Sequence, residues 1–251
     1  MAKQTGLGDN LYVDGYNLSG DVGSIQQIRG GPKAGDVTGI DKSAHERLGL
    51  VREGAINYSG FFNDANTPPV GAHFVLAPLT LNDVIETYCR GTALGGSAAC
   101  MVAKQINYDP TRAADGMLTF AVSSLSNGFG LEWGTQLTAG QRTDVAASNG
   151  TGVDLGSVSP GAFGGQAYLQ VFSFAGTSVT VKIQSSDDNA VGDPYTDVAG
   201  WTFTAATGRT TQRLATAAIN IKRWLRVVTT GTFSSAVFHV MATRNATAVT
   251  F

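Results

Sequence analysis

The run from Ala167 to Ser185 decides the fold class: AYLQVFSF at 167–174, AGT at 175–177 and SVTVKIQS at 178–185. In its second half Val179, Val181 and Ile183 alternate with Thr180, Lys182 and Gln184. A period of two puts apolar side chains on one face of a strand and polar ones on the other. The short connection Ala175-Gly176-Thr177 between two such runs predicts a β-hairpin. Further strand signals follow at Trp201–Thr204, Gln212–Ala215, Arg223–Thr229 and Ala236–Thr243, with mixed faces where Arg223–Thr229 begins. Short strands at near-regular spacing, with no competing helix-period segment, predict an antiparallel β-sandwich over residues 166–251.

Upstream, the stretch Thr143–Gly165 is rich in Gly and poor in large side chains, and residues 151–165 read as a linker. It also divides the charge. Residues 1–150 carry 10 Lys and Arg against 14 Asp and Glu, while the rest carry 7 against 5. Residues 1–150 therefore read as a separate domain. It opens with a strand at Leu11–Leu18 and continues through a long irregular stretch, Gly20–Gly54. Within that stretch Asp41 or Ser43 is placed to cap a short helical turn at Ala44–Leu48. A strand at Ala55–Phe62 follows. Thr80–Arg90 reads as a helix: Leu81, Val84, Ile85 and Tyr88 recur at i, i+3, i+4 and i+7, Thr80 or Asn82 can cap it, and Gly91 can stop it. Strands at Ala99–Tyr108, Leu118–Ser124 and Gly130–Leu137 complete the segment. The expectation is a mainly β chain: a barrel-like or two-sheet domain with one packed helix, then a sandwich. An unstructured connection of about 35 residues inside a compact domain is usually functional.

Composition agrees with a β-rich protein and excludes several classes. Of 251 residues, 43% are apolar, 14% charged and 32 are Gly. Charge is well below the roughly 25% of an average globular protein, as in a surface largely covered by neighbours. The net charge of −2 argues against a general nucleic-acid binder. No apolar run reaches the 18 residues of a spanning helix, and MAKQTGLGDN has no signal-peptide core, so no membrane role is expected. Two cysteines, Cys89 and Cys100, do not make a disulfide framework and read as reduced thiols.

Chemistry-bearing patterns are scarce. His45, His73 and His239 lack metal spacing to one another or to cysteine. No G-x-S-x-G elbow and no Walker A sequence occur, and Gly128-Phe129-Gly130 lacks the third Gly of a dinucleotide loop. Glu46, Glu53, Glu86 and Glu132 form no visible acid–base pair. Asp187, Asp188, Asn189, Asp193 and Asp197 share one loop, where oxygen ligands for Ca²⁺ compete with ordinary turn roles. Among the aromatics of the second segment, Trp201, with Asp187 and Asp188 nearby, is a candidate surface ligand contact. No catalytic, metal-binding or cofactor-binding residue is assigned, and no enzyme activity or cofactor is expected.

The order of segments in the first half is distinctive: LYVDGYNLSGDVGSI from Leu11, DVTG at 36–39, AHERL at 44–48 and GAINYSGFFN at 54–63. It resembles the major tail tube proteins of long, non-contractile-tailed bacteriophages, the siphoviruses. The second half, with AYLQVFSFAGTSVTVKIQSSDD and RWLRVVTTGTFSSAVFHVMATRN, is similar to a β-sandwich that recurs on phage tail and virion proteins. The resemblance implies a structural virion protein, made in the host bacterial cytoplasm. It would polymerise as stacked, commonly hexameric rings into a tube whose channel conducts DNA at ejection. DNA would pass without specific binding, along a wall that a net acidic domain keeps from gripping phosphate. The implied partners are further copies of the chain and the tape measure, tail terminator and distal tail proteins. The stretch 29–53 becomes the ring-stacking loop, with Lys33, Asp36, Asp41, Lys42, Glu46, Arg47, Arg52 and Glu53 available for ring-to-ring ion pairs, and the sandwich a decoration. Alternatives are a carbohydrate-binding two-domain β protein and a capsid or decoration protein.

Overall fold

In the computed structural model, which describes residues 5–79 and 81–249, the period-two pattern is realised as strands throughout. The first part of the chain forms β1 (Asn10–Val13), β2 (Tyr16–Asn17), β3 (Val22–Asp36), β4 (Arg47–Phe61), α1 (Ala72–Leu76), β5 (Val84–Cys89), β6 (Ser97–Gln105), β7 (Asp109–Arg112), β8 (Leu118–Ser126) and β9 (Glu132–Gln136). It continues as β10 (Arg142–Asp144), β11 (Ser148–Asn149), β12 (Val153–Asp154), β13 (Gly165–Ser186), β14 (Thr196–Thr202), β15 (Thr210–Thr216) and β16 (Trp224–Arg244). The mainly β class is as expected. The strand path has open ends at β14 and β2, so the sheet is not a closed barrel.

The chain divides into two compact units that differ from the expected halves. Of the described residues, the first takes those up to Gly20, Ile85–Cys100 and those from Trp133 onward; the second takes those within Asp21–Val84 and Met101–Glu132.

The first unit is built on two long antiparallel strands. β13 pairs with β16 along its whole length, from Gly165 opposite Arg244 to Ser186 opposite Trp224. β15 and β14 line the other edge of β13, and β9 to β12 line the other edge of β16. The alternation in β13 aims Ala167, Leu169 and Val171, then Val179, Val181 and Ile183, into one core with Leu225, Val227, Phe238 and Val240 of β16. The expected hairpin at Ala175–Thr177 is absent. β13 runs on through bulges between Val171 and Ser178, so its two halves pair with β16 rather than with each other. At the same level of β16, Gly231 has a φ of +122°, and a Cβ there would lie 2.3 Å from the Ser178 carbonyl oxygen. Only glycine fits so close a strand approach.

The residues expected to form a linker are anchored here. Val153 is buried in the core, and β12 pairs Val153 with Leu225 and Asp154 with Trp224. Asp154 also accepts two hydrogen bonds from Arg223, at 2.7 and 2.6 Å. That guanidinium holds the Asp154 carboxyl down at about 2.

The other face of β13 carries Gln170, fully buried, toward β1 and β5. Its amide oxygen accepts from Gly15 N at 2.7 Å. Its amide nitrogen donates to the carbonyls of Tyr12 and Ile85 and to Thr87 Oγ1 at 2.9 Å. One side chain thus satisfies backbone groups that the strand ladders leave over.

The expected helix at 80–90 is a correction. Thr80 lies outside the described residues, Leu81–Asp83 are irregular, and Val84–Cys89 is β5, with all six residues buried. The segment VIETYC is β-branched and aromatic. A strand buried on both faces shows no alternation, and its apolar residues matched a helical template by chance. The helix present is α1, a single turn whose first amide, Ala72 N, donates to Asp21 Oδ2 at 2.8 Å.

Candidate assembly surface

In the second unit β3 and β4 form an antiparallel pair that runs from Val22 opposite Gly60 to Asp36 opposite Arg47. β4 also pairs with β8 over Ala55–Phe61, whereas β3 pairs with β4 alone. From Arg29 to Asp36 and from Arg47 to Glu53 the two strands therefore continue as a free ribbon, exposed along almost all of its length. The stretch expected to be irregular is thus an ordered β arm, and no helix forms at Ala44–Leu48. Eight glycines from Gly20 to Gly54 and a single Pro made the sequence read as loop. The register of the pair overrides that local bias.

The root of the arm is fitted to the body. Gly30 faces Gly54 across the register, and Leu131 packs against both; a Cβ on Gly54 would lie 2.7 Å from Leu131 Cβ. Arg52 lies over Gly130 and reaches to 3.9 Å from the buried Glu132 carboxylate. The tip is fastened as well. Asp36 accepts from Thr38 N at 2.9 Å and from the Thr38 hydroxyl, and lies 3.1 Å from His45 Nδ1. Glu46 N donates to Thr38 Oγ1 at 3.0 Å. The Thr38 contacts hold the Asp36 carboxyl below the usual carboxylate range.

The eight charged residues expected to reach a neighbouring ring all lie on this arm, but most are engaged within it. Arg29 pairs with Glu53 at 3.9 Å, and Lys42 with Glu46 at 3.6 Å and Asp41 at 3.8 Å. Asp36 is taken by His45 and Arg52 by Glu132. Lys33 and Arg47 have no ion-pair partner among the described residues. The sequence reading missed the apolar side chains between these charges. Val37, Leu48, Leu50 and Val51 are about half exposed or more, and Ile40 at the tip is fully exposed. The Leu48-Gly49-Leu50 alternation was the signal that marked them. Five exposed apolar side chains on a two-stranded ribbon, itself only marginally stable alone, are the mark of a surface that is covered in an assembly.

A shallow cleft of about 350 Å³ opens at the base of the same two strands, lined by Gly23, Ser59, Phe61, Asp109, Thr119 and Phe120 among others. Phe120 is buried and forms the floor; Phe61 is half exposed at the side. Asp109 accepts from Asn107 Nδ2 and has no cation partner among the described residues.

The candidate ligand contact in the other unit is corrected. Trp201 is completely buried in the core, where the Gly165 backbone lies against its ring, and it presents nothing to solvent. Asp188 is consumed by its own loop: it accepts from the amides of Val191, Gly192 and Asp193 at 2.6–3.2 Å. Asp193 accepts from Lys222 at 2.6 Å, which also stands 3.8 Å from Asp187. This is a self-bonded turn. Among the described residues no group of three or more His, Cys, Asp or Glu is arranged to hold a metal ion. Cys89 and Cys100 are buried thiols not joined in a disulfide.

No protein-family model matches the chain, and no curated protein matches it in sequence. Solved structures resemble it weakly. A chain of the virion of a native gene transfer agent particle aligns with 18% identity and a TM-score of 0.39, over 52% of this chain and 98% of that one. The SPP1 Dit protein (gp 19.1), described as a hub adsorption apparatus of phages infecting Gram-positive bacteria, aligns with 12% identity and a TM-score of 0.35, over 94% and 99%. A chain of the phage P2 baseplate in its activated conformation with calcium aligns with 10% identity and a TM-score of 0.28, over 96% and 99%.

Proposed function

We propose that this chain is a structural subunit of a phage-type tail, which associates with copies of itself as rings stacked through the β3–β4 arm. The observation that carries the reading is the arm: an ordered, exposed ribbon with a fastened tip and five uncovered apolar side chains. The order of segments from Leu11 to Asn63, resembling tail tube proteins, supports the same reading. In this function the rings, hexameric in the family resembled, form a tube of virion tail that passes DNA without gripping it. Tape measure, terminator and distal tail proteins would bound it. The described residues offer no built catalytic constellation, and none enters the reading. Trp201, buried, gives no support to a carbohydrate-binding role.

Negative-stain electron microscopy of the purified chain over a concentration series tests this. Rings, or hollow tubes of uniform width, are the expected result. Monomers at every concentration, by microscopy and by sedimentation, would overturn it.

A further inference from the structure

The arm and the cleft belong to the same pair of strands, and each lacks what the other supplies. At one end the arm presents Ile40, fully exposed on a tip held by the Asp36–Thr38–His45 contacts, with Leu48 and Leu50 behind it. At the other end lies a cleft floored by Phe120 and walled by Phe61. Its volume of about 350 Å³ exceeds that of one aliphatic side chain. Charge agrees with shape. Lys33 and Arg47, close behind the tip, are cations without a carboxylate partner among the described residues, and Asp109 at the cleft is a carboxylate without a cation. Rim charges of opposite sign set the register of a contact more than its strength.

We propose that the cleft at Phe61, Asp109 and Phe120 is the receptor for the arm tip of a second copy of this chain, with Ile40 as the inserted side chain and Lys33 or Arg47 facing Asp109. This rests on the stacking reading and names the surface that the arm meets. Knob and hole are different surfaces of one molecule, so the contact is heterologous and repeats without using itself up; copies add head to tail into an open stack. The step is bounded by the arm. Sixteen residues separate Ser24 at the cleft from Ile40, so successive copies are offset by at most about 50 Å at ~3.3 Å per residue. Removing the isoleucine side chain from water favours each such contact. Many such contacts around a ring make the stack sensitive to one substitution per subunit.

Full-length chains carrying Ile40→Asp, and separately Thr119→Trp to fill the cleft, are compared with the wild type by sedimentation and microscopy. Both should stay folded by circular dichroism and lose stacking at concentrations where the wild type assembles fully. Ile40→Asp lies on an exposed tip, so it carries the test if Thr119→Trp misfolds. In a second arm, a chain with Ile40→Cys is mixed with one carrying Thr111→Cys, beside the cleft, and oxidised with glutathione disulfide. A disulfide-linked dimer joining the two variants is expected; Ile40→Cys mixed with Ala199→Cys, in the other unit, should give none. If wild type assembles and Ile40→Asp assembles equally, or the control pair cross-links as well as the cleft pair, the receptor assignment is wrong while the stacking reading stands. A wild type that never assembles overturns both.

Discussion

His239 carries a titratable ring into the core of the first unit, where it is 1% exposed. Its Nδ1 lies 3.0 Å from the Gly140 carbonyl, which only accepts, so Nδ1 carries the proton; Nε2 then faces Cys89 Sγ at 3.4 Å as acceptor. Burial drives the imidazole down to about 4, against 6.5 for a free histidine, and pushes the Cys89 thiol up. Between these two values the unfolded chain binds a proton that the folded chain refuses. Stability from this group is therefore complete above pH 6.5 and is lost as pH falls toward 4, on the order of 3 kcal/mol in all. Urea unfolding between pH 7.5 and 4 should show the loss, and His239→Gln should flatten that part of the profile. None of this was legible in the sequence, where a lone histidine gives no sign of its burial. Trp201 misled in the opposite sense. Its strand was recognised, but which face of that strand turns inward is set by its register with β13, where Lys182 pairs with Thr202, and that register is not written in the Trp201 segment itself.

At the scale of elements, alternation made strands legible, and the one strand read as a helix lacked it. β13 declared itself through Val179, Val181 and Ile183. β5 did not, because all six of its residues are buried and a strand covered on both faces has no polar phase. The arm was half legible. Its position at 29–53 and its charges were found, but its glycines hid its β structure and its ion pairs proved largely internal. Pairs so exposed contribute little to stability, roughly 0–1 kcal/mol each. Removing the arm should therefore barely affect folding. Replacing Lys33–Val51 with an Asn-Gly turn, across the Pro32–Arg52 register point, keeps Arg52 beside the buried Glu132 and should leave the melting temperature within a few degrees of wild type. Assembly should be abolished. A replaced chain that still formed tubes would move the stacking contact elsewhere.

At the scale of the molecule, composition gave the class, while the boundary expected near residue 150 falls inside the first compact unit. A Gly-rich, charge-dividing stretch looks like a tether, yet Val153 is buried and Asp154 is clamped by Arg223. The first unit draws on three separated stretches, so a cut at Gly156 falls inside it. β1 and β5 would then lose Gln170 and the strand beneath them. A chain ending at Gly156 should be insoluble or unfolded by circular dichroism rather than a freestanding domain. If it proves soluble and cooperative in thermal unfolding, the residues before 150 fold by themselves after all.

The central place of β16 also fixes a moment. It is the last strand described, and it closes the ladder for β13 on one side and for β9, β10, β11 and β12 on the other. During synthesis those five strands leave the ribosome with a missing neighbour and wait for residues 224–244. Any product terminated before Trp224 lacks the centre of its sheet. Copies ended early are thus expected to fail at the stage of folding, with β13 and β9 to β12 left as unpaired edges.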